Sequence, residues 1–469
     1  MKRSKLIIVA LSLFLFLTAS LIVINAMTDD EIVGSEGLTY HLSDDGKFYI
    51  VSNYNNRLSD VNVVIPEQYK GLPVTEIAND AFAERKWIQS VYIPKTIKKI
   101  GHGAFSQTGL KKVYFNAENC QDFDSRNWVF YPESQGKMSI DVVIGKDVKK
   151  IPKRLFFPLD TIPTLNPKVT SITFEEGCQV DEIGDYAFYN ISHVSNIVFP
   201  SSLRKIGKYA FYGNKFTEVI FNSGLEEIND HAFDNSKEIK SFSLPDSIIR
   251  VGKAAFRNCL LLESVQSTSS SYTTLEADTF KYCFNLKNIK LDKVNCIGES
   301  VFEGCTSLAS YDMPNIKHIG DYAFKDCTDI KNIILDINLE TIGNHAFEGC
   351  TNVSDIVLKS KLLKDLEPAN STFYNCGANT EGVKVIVEGE IVSVPKRLFF
   401  ASSNGANLPK ITEIIINTSS LKTIDDYAFG YINASVTYVG TKAMWSGVSV
   451  NIGNNCFAKV NCVKELVGE

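Results

Sequence analysis

Two hydrophobic formats alternate along this chain. In the first, an apolar residue is followed by two variable positions and then by apolar, variable, apolar, as in Val194-Ser195-Asn196-Ile197-Val198-Phe199 ahead of Pro200. The same order recurs at Ile239 to Leu244 before Pro245, at Leu308 to Met313 before Pro314 and at Ile330 to Leu335. Alternation, β-branched content and a proline stop predict short strands with one buried face. The second format is Ile183-Gly184-Asp185-Tyr186-Ala187-Phe188, which returns as Ile206-Gly207-Lys208-Tyr209-Ala210-Phe211 and Ile319-Gly320-Asp321-Tyr322-Ala323-Phe324. Looser copies end at Phe82, Phe105, Phe233, Phe256, Phe280, Phe302, Phe347 and Phe429, with variants at Phe156, Phe373, Phe399 and Phe457. Between Phe188 and Phe347 the spacing holds at 22 to 24 residues, so the chain is a tandem repeat.

Each repeat reads as a strand, a turn, a second extended piece such as Leu203-Arg204-Lys205-Ile206, and a short helical turn carrying Ala and Phe. No single rung buries its own apolar edge, but stacked rungs set Ile over Ile and Phe over Phe. The expected fold is therefore a repeat solenoid of parallel strands. A length of 469 residues would ordinarily divide into several domains, yet one array absorbs it because a solenoid grows in one dimension. Two stretches depart from the period: Phe105 to Phe156 is 51 residues, and Phe373 to Phe429 is 56 with Phe399 inside. They contain the variants Pro152-Lys153-Arg154-Leu155-Phe156-Phe157 and Pro395-Lys396-Arg397-Leu398-Phe399-Phe400, and read as long rungs near 106–156 and 374–429. Residues 116–139, with Trp128, Phe130 and Tyr131, read as an insertion with no assignable role.

With its I-G-x-x-A-F signature, the chain resembles the BspA-type leucine-rich-repeat family of bacterial surface proteins from about Gly37 to Val463. The resemblance implies a right-handed leucine-rich-repeat array of short parallel β-strands and short helical turns, capped at both ends. Residues 37–76 are then the N-terminal β cap, with Asp44-Asp45-Gly46 as a hairpin turn. About 14 rungs fill residues 77–433. Residues 434–469 form the C-terminal cap, and Tyr438 to Trp445 resembles a terminal motif of the family.

The first residues, Met1-Lys2-Arg3-Ser4-Lys5 and an apolar run from Leu6 to Ile24, predict a signal peptide or N-terminal membrane anchor over 1–26. Formal net charge is -6, and without that segment 45 basic side chains face 54 acidic ones. A mildly acidic chain with scattered charge is not built to neutralise phosphates, so nucleic acid is not an expected partner. Membrane contact is expected only through an uncleaved N-terminal segment.

Candidate chemistry is sparse. Cys259, Cys283, Cys305, Cys327, Cys350 and Cys376 each stand three residues after a repeat Phe and should form a structural column. A column points its thiols the same way, whereas metal sites need converging ligands and disulfides need facing ones. Cys456 and Cys462 are the pair best placed for a disulfide. The six histidines are scattered through separate repeats, and Gly101-His102-Gly103 lacks the third glycine of a dinucleotide loop. No catalytic, metal or cofactor residues are assigned, and the reading is not an enzyme.

What remains is the exposed strand face. Its candidate ligand residues are Asn196, Val198, Glu218 and Ile220 on one pair of rungs, and Asn332, Ile334, Asp355 and Val357 on another, where apolar side chains point outward side by side. The resemblance implies a secreted or cell-surface module that binds extracellular or surface proteins in adhesion. The alternative is a structural spacer of the cell envelope.

Overall fold

The computed structural model describes residues 33–463 apart from 54–57, 126, 133–138, 158–166, 192, 312–313, 369 and 401–407. The expected export segment and residues 464–469 of the expected C-terminal cap lie outside the described residues. Most rungs contribute two strands, one to each of two separate columns. In the first column, Asn62–Val64, Ser90–Ile93, Lys112–Phe115, Ser139–Ile144 and Lys168–Phe174 pair in parallel. It resumes as Asn196–Val198 with Glu218–Ile220, then Ser241–Leu244, Ser264–Ser267 and Asn288–Leu291, then six strands from Asn332–Leu335 to Val460–Val463. The second column consists of two-residue strands, such as Lys205–Ile206 paired with Glu227–Ile228. It is interrupted between Lys99–Ile100 and Lys150–Ile151, between Arg250–Val251 and Thr274–Leu275, and again between Thr341–Ile342 and Ser393–Val394. At each of these interruptions the first column runs on unbroken, and the reverse also holds.

Alternation sets the register. On Asn332–Leu335 the burial runs exposed, buried, exposed, buried, and Ile333 pairs with Ile356 while Ile334 pairs with Val357. Ile333 is fully buried, whereas Ile334 is 47% exposed. Ile333→Ala should therefore destabilise the fold by about 2–5 kcal/mol and Ile334→Ser by well under 1 kcal/mol. Paired thermal melts check this, and an outward variant that unfolds the protein would show the register to be wrong.

The core is a single file of rings. From Phe82 to Phe429, fifteen phenylalanines stack at centroid separations of 4.8 to 5.9 Å. Phe130 belongs to this file, 5.7 Å from Phe105 and 4.8 Å from Phe156. The stretch read as one long rung near 106–156 is thus two rungs, and residues 116–139 are not an insertion. Strand Lys112–Phe115 with Phe130 makes one rung, and Ser139–Ile144 with Phe156 makes the next.

The expected helical turns are not helices. In the motif rung, the amides of Tyr186, Phe188 and Asn190 donate to the carbonyls of Lys208, Ala210 and Tyr212 on the next rung, at 2.7 to 2.9 Å. The intervening amides of Ala187 and Tyr189 bond within the rung. A helix would turn every amide inward to its own chain and leave the rungs unjoined. The alternation instead requires left-handed residues, Tyr186 at φ 59° and Asn190 at φ 55°. Each costs about 1–2 kcal/mol of strain, offset by the bond to the next rung. The motif glycine has its own reason: a Cβ on Gly207 would lie 2.6 Å from the backbone nitrogen of Asp185 on the rung before.

At the N-terminal end, Thr39–Leu42 and Tyr49–Ser52 are antiparallel, and Asp44-Asp45-Gly46 forms their turn with Gly46 at φ 68°. The second of these strands pairs in parallel with Leu72–Ile77, which pairs with Lys99–Ile100. Ser35 closes the outer edge of the first column, its amide donating to Val64 O at 2.9 Å and its hydroxyl accepting from Val64 N at 3.0 Å.

Candidate functional site on the strand face

The first column turns alternate side chains outward in rows fixed by the parallel register. Asn196 faces Glu218 and Val198 faces Ile220 across one pair of strands, and all four are exposed. On the other pair, Asn332 and Ile334 are exposed, while their partners Asp355 and Val357 are half-buried. The apolar row then continues through Ile386 to Ile415, which is only 8% exposed although alternation aims it outward. Four β-branched neighbours in register shield one another, so this patch is smaller than its sequence implies.

Elsewhere on the face, a cavity of about 640 Å³ opens over four consecutive strands, lined among others by Glu218, Ile220, Ser243, Gln266 and Lys290. Its floor is low because Ser241, Ser243 and Ser264 project little volume, and Gln266 lies back to donate to Ser243 Oγ at 2.6 Å. One rim is acidic at Glu218 and the other basic at Lys287 and Lys290. Of the eight candidate residues, only Glu218 and Ile220 line this cavity. The others do not converge on it. The signal in the sequence was a run of small outward residues on successive rungs, which apolar matching passes over.

The six-cysteine column lies at the opposite side of each strand, wholly buried. Five of its thiols donate to the carbonyl of the repeat Phe one rung earlier: Cys259 to Phe233, Cys283 to Phe256, Cys305 to Phe280, Cys327 to Phe302 and Cys350 to Phe324, at 3.1 to 3.5 Å. Ser236 and Asn214 make the same bond in earlier rungs, to Phe211 at 3.1 Å and Phe188 at 3.3 Å. The position thus calls for a small donor to satisfy a buried carbonyl. Burial pushes all six thiols above their ordinary pKa of 9.0, which keeps them protonated at neutral pH. Cys456 and Cys462, expected to bridge, are separate thiols, one on the single turn Asn455–Ala458 and the other on Val460–Val463.

The polar cluster around Asp234 is structural as well. Its buried carboxylate accepts from Arg257 at 2.7 and 3.1 Å and from Asn235 at 2.9 Å, and lies 2.9 Å from His231 Nδ1. His231 in turn stacks on Tyr209 at 4.5 Å. Among the described residues, no group of His, Cys, Asp and Glu is arranged to hold a metal, and no helix is long and apolar enough to cross a membrane.

The repeat is recognisable beyond this chain. A model of the BspA type leucine rich repeat region, with six copies, matches residues 54–167, 165–286 and 273–404. The chain belongs to the BspA-type leucine-rich-repeat family. Solved structures similar to this BspA-type array include a leucine-rich repeat protein from Bacteroides ovatus, at 22% identity and a TM-score of 0.44 over 77% of this chain and 100% of that one. A leucine rich cell surface protein from Faecalibacterium prausnitzii matches at 19% identity and a TM-score of 0.29, over 91% and 100%. The pneumococcal vaccine antigen PcpA matches at 15% identity and a TM-score of 0.38, over 93% and 99%. All three lie below a TM-score of 0.5, so membership in the BspA-type family rests on the sequence match. No curated protein matches the chain.

Proposed function

We propose that this chain is an exported, cell-surface, non-catalytic module that binds a protein partner in adhesion, and that the partner seats in the serine-floored cavity of the strand face. The cavity carries the reading. It sits on a rigid parallel sheet whose side chains are held in fixed rows, so a partner is met without further ordering cost. Its opposed acidic and basic rims, Glu218 against Lys287 and Lys290, give a docking chain direction. The flanking apolar residues Val198, Ile334 and Val357, with Asn196, Asn332 and Asp355 beside them, extend the contact.

The test is a binding screen of residues 27–469 against extracellular-matrix and cell-surface proteins, repeated with Ser243→Arg and Ser264→Arg. Both positions are outward, so each bulky substitution should leave the melting temperature unchanged and weaken the partner found by about tenfold or more. A partner bound equally well by both variants would move the site off the cavity. A folded array that binds none of the panel would favour the spacer reading.

A further inference from the structure

The twin variants Pro152-Lys153-Arg154-Leu155-Phe156-Phe157 and Pro395-Lys396-Arg397-Leu398-Phe399-Phe400 fold into the same local geometry. In each, the lysine amide donates to a carboxylate one rung back, Lys153 to Asp122 and Lys396 to Asp365, both at 2.9 Å. Its ammonium pairs one rung onward, with Asp185 at 3.4 Å and with Asp426 at 3.3 Å. The arginine that follows is left-handed, at φ 59° and φ 58°, and its amide donates to the backbone carbonyl of that same Asp185 or Asp426. The second phenylalanine meets a tyrosine edge to face, Phe157 with Tyr186 at 5.5 Å and Phe400 with Tyr427 at 5.9 Å.

Among the described residues, neither copy pairs its arginine directly with a carboxylate. Arg204, Arg250 and Arg257 each meet a carboxylate. Arg154 instead lies over the rings of Phe157 and Tyr186, at 5.6 and 5.2 Å, and its buried Nε has no hydrogen-bond partner among the described residues. Arg397 has neither an ion pair nor a ring contact among the described residues. Both side chains are half-buried. Because the neighbouring lysine is already paired, neither guanidinium has a direct carboxylate partner among the described residues, and the Arg154 fork lies beside an aromatic wall. A planar guanidinium fork of that kind fits a carboxylate bidentately. The nearby aspartates disfavour a doubly charged phosphate.

The two arginines occupy the same place in their rungs, on the turn edge and not the strand face, and stand ten rungs apart in the phenylalanine file. At the spacing of parallel strands this is roughly 50 Å, which an extended peptide of about 15 residues spans. We propose that Arg154 and Arg397 form a matched pair of carboxylate sites that grip one acidic polypeptide at two points.

The probe is fluorescein-labelled polyglutamate of about 30 residues, long enough to bridge, titrated at low salt into residues 27–469 and read by anisotropy. Arg154→Ala or Arg397→Ala alone should weaken binding by about tenfold or more, since bivalency is lost, and the double variant should abolish it. Lysine at both positions should not restore it, because an ammonium lacks the fork; should the alanine variants fail to fold, the lysine pair carries the test. Lys208→Ala, which removes a lysine paired to Asp230 at 2.9 Å, should leave binding unchanged. Wild-type affinity in the double variant, or an equal loss in Lys208→Ala, overturns the pair of sites. Tighter binding of polygalacturonate of equal length overturns the assignment to a polypeptide.

Discussion

Above pH 9 this protein should unfold with a steep dependence on pH that begins in its interior and not at its surface. The six thiols of the column have folded-state pKa values raised by burial above the ordinary 9.0. Below pH 9 both folded and unfolded chains keep these protons, and the stability is fully present. As pH rises through 9 the unfolded thiols ionise while the buried ones do not, so the unfolded state binds fewer protons and stability falls. Each thiol contributes roughly 1 kcal/mol per pH unit, and six together contribute several. Urea unfolding at pH 8, 9 and 10 measures the slope, and alanine at Cys283, Cys305, Cys327 and Cys350 should remove most of the excess. A stability unchanged between pH 9 and 10 would overturn the buried column, as would rapid labelling of these six thiols in the native protein at pH 8.

Deleting residues 27–76 should yield aggregating material. The deletion strips Asn62–Val64 from Ser90–Ile93 and Leu72–Ile77 from Lys99–Ile100, leaving two unpaired edges. It also uncovers a full apolar cross-section at Phe82, Val91 and Ile93, all wholly buried in the intact chain. An array without its terminal unit is exposed in this way whatever its middle sequence. Removing a single central ring, as in Phe256→Ala, should cost about 3–5 kcal/mol yet leave a soluble protein. Light scattering and size-exclusion chromatography separate the two outcomes, and a monomeric deletion with unchanged melting would show that residues 37–76 are not a cap.

The strands were readable because alternation is a local property: Ile333 and Ile334 declare opposite faces within two residues. Phe130 was hidden because Arg126 and Val129 stand where the usual glycine and alanine would, at 25 residues from Phe105 where the regular copies keep 22 to 24. Halving the 51-residue gap was the available clue. The turn conformation was not readable, since Tyr186, Tyr209 and His231 all adopt positive φ without being glycine. Only the demand of the neighbouring rung for an amide explains them. The cavity was the least legible feature of all. Its depth comes from small residues on several rungs at once, which no single repeat reveals, whereas the twin arginines were plain as a motif and mute as to their missing partners.

Among the described residues, the interruptions in the two strand columns do not fall at the same level. Where the first column stops between Glu218–Ile220 and Ser241–Leu244, the second still joins Glu227–Ile228 to Arg250–Val251. Where the second stops after Arg250–Val251, the first joins Ser241–Leu244 to Ser264–Ser267. The bonding is that of overlapped brick courses. At each joint the course on the other side spans the gap and keeps a crack from running through. A pull applied along the length of the molecule would meet intact backbone bonds at every level.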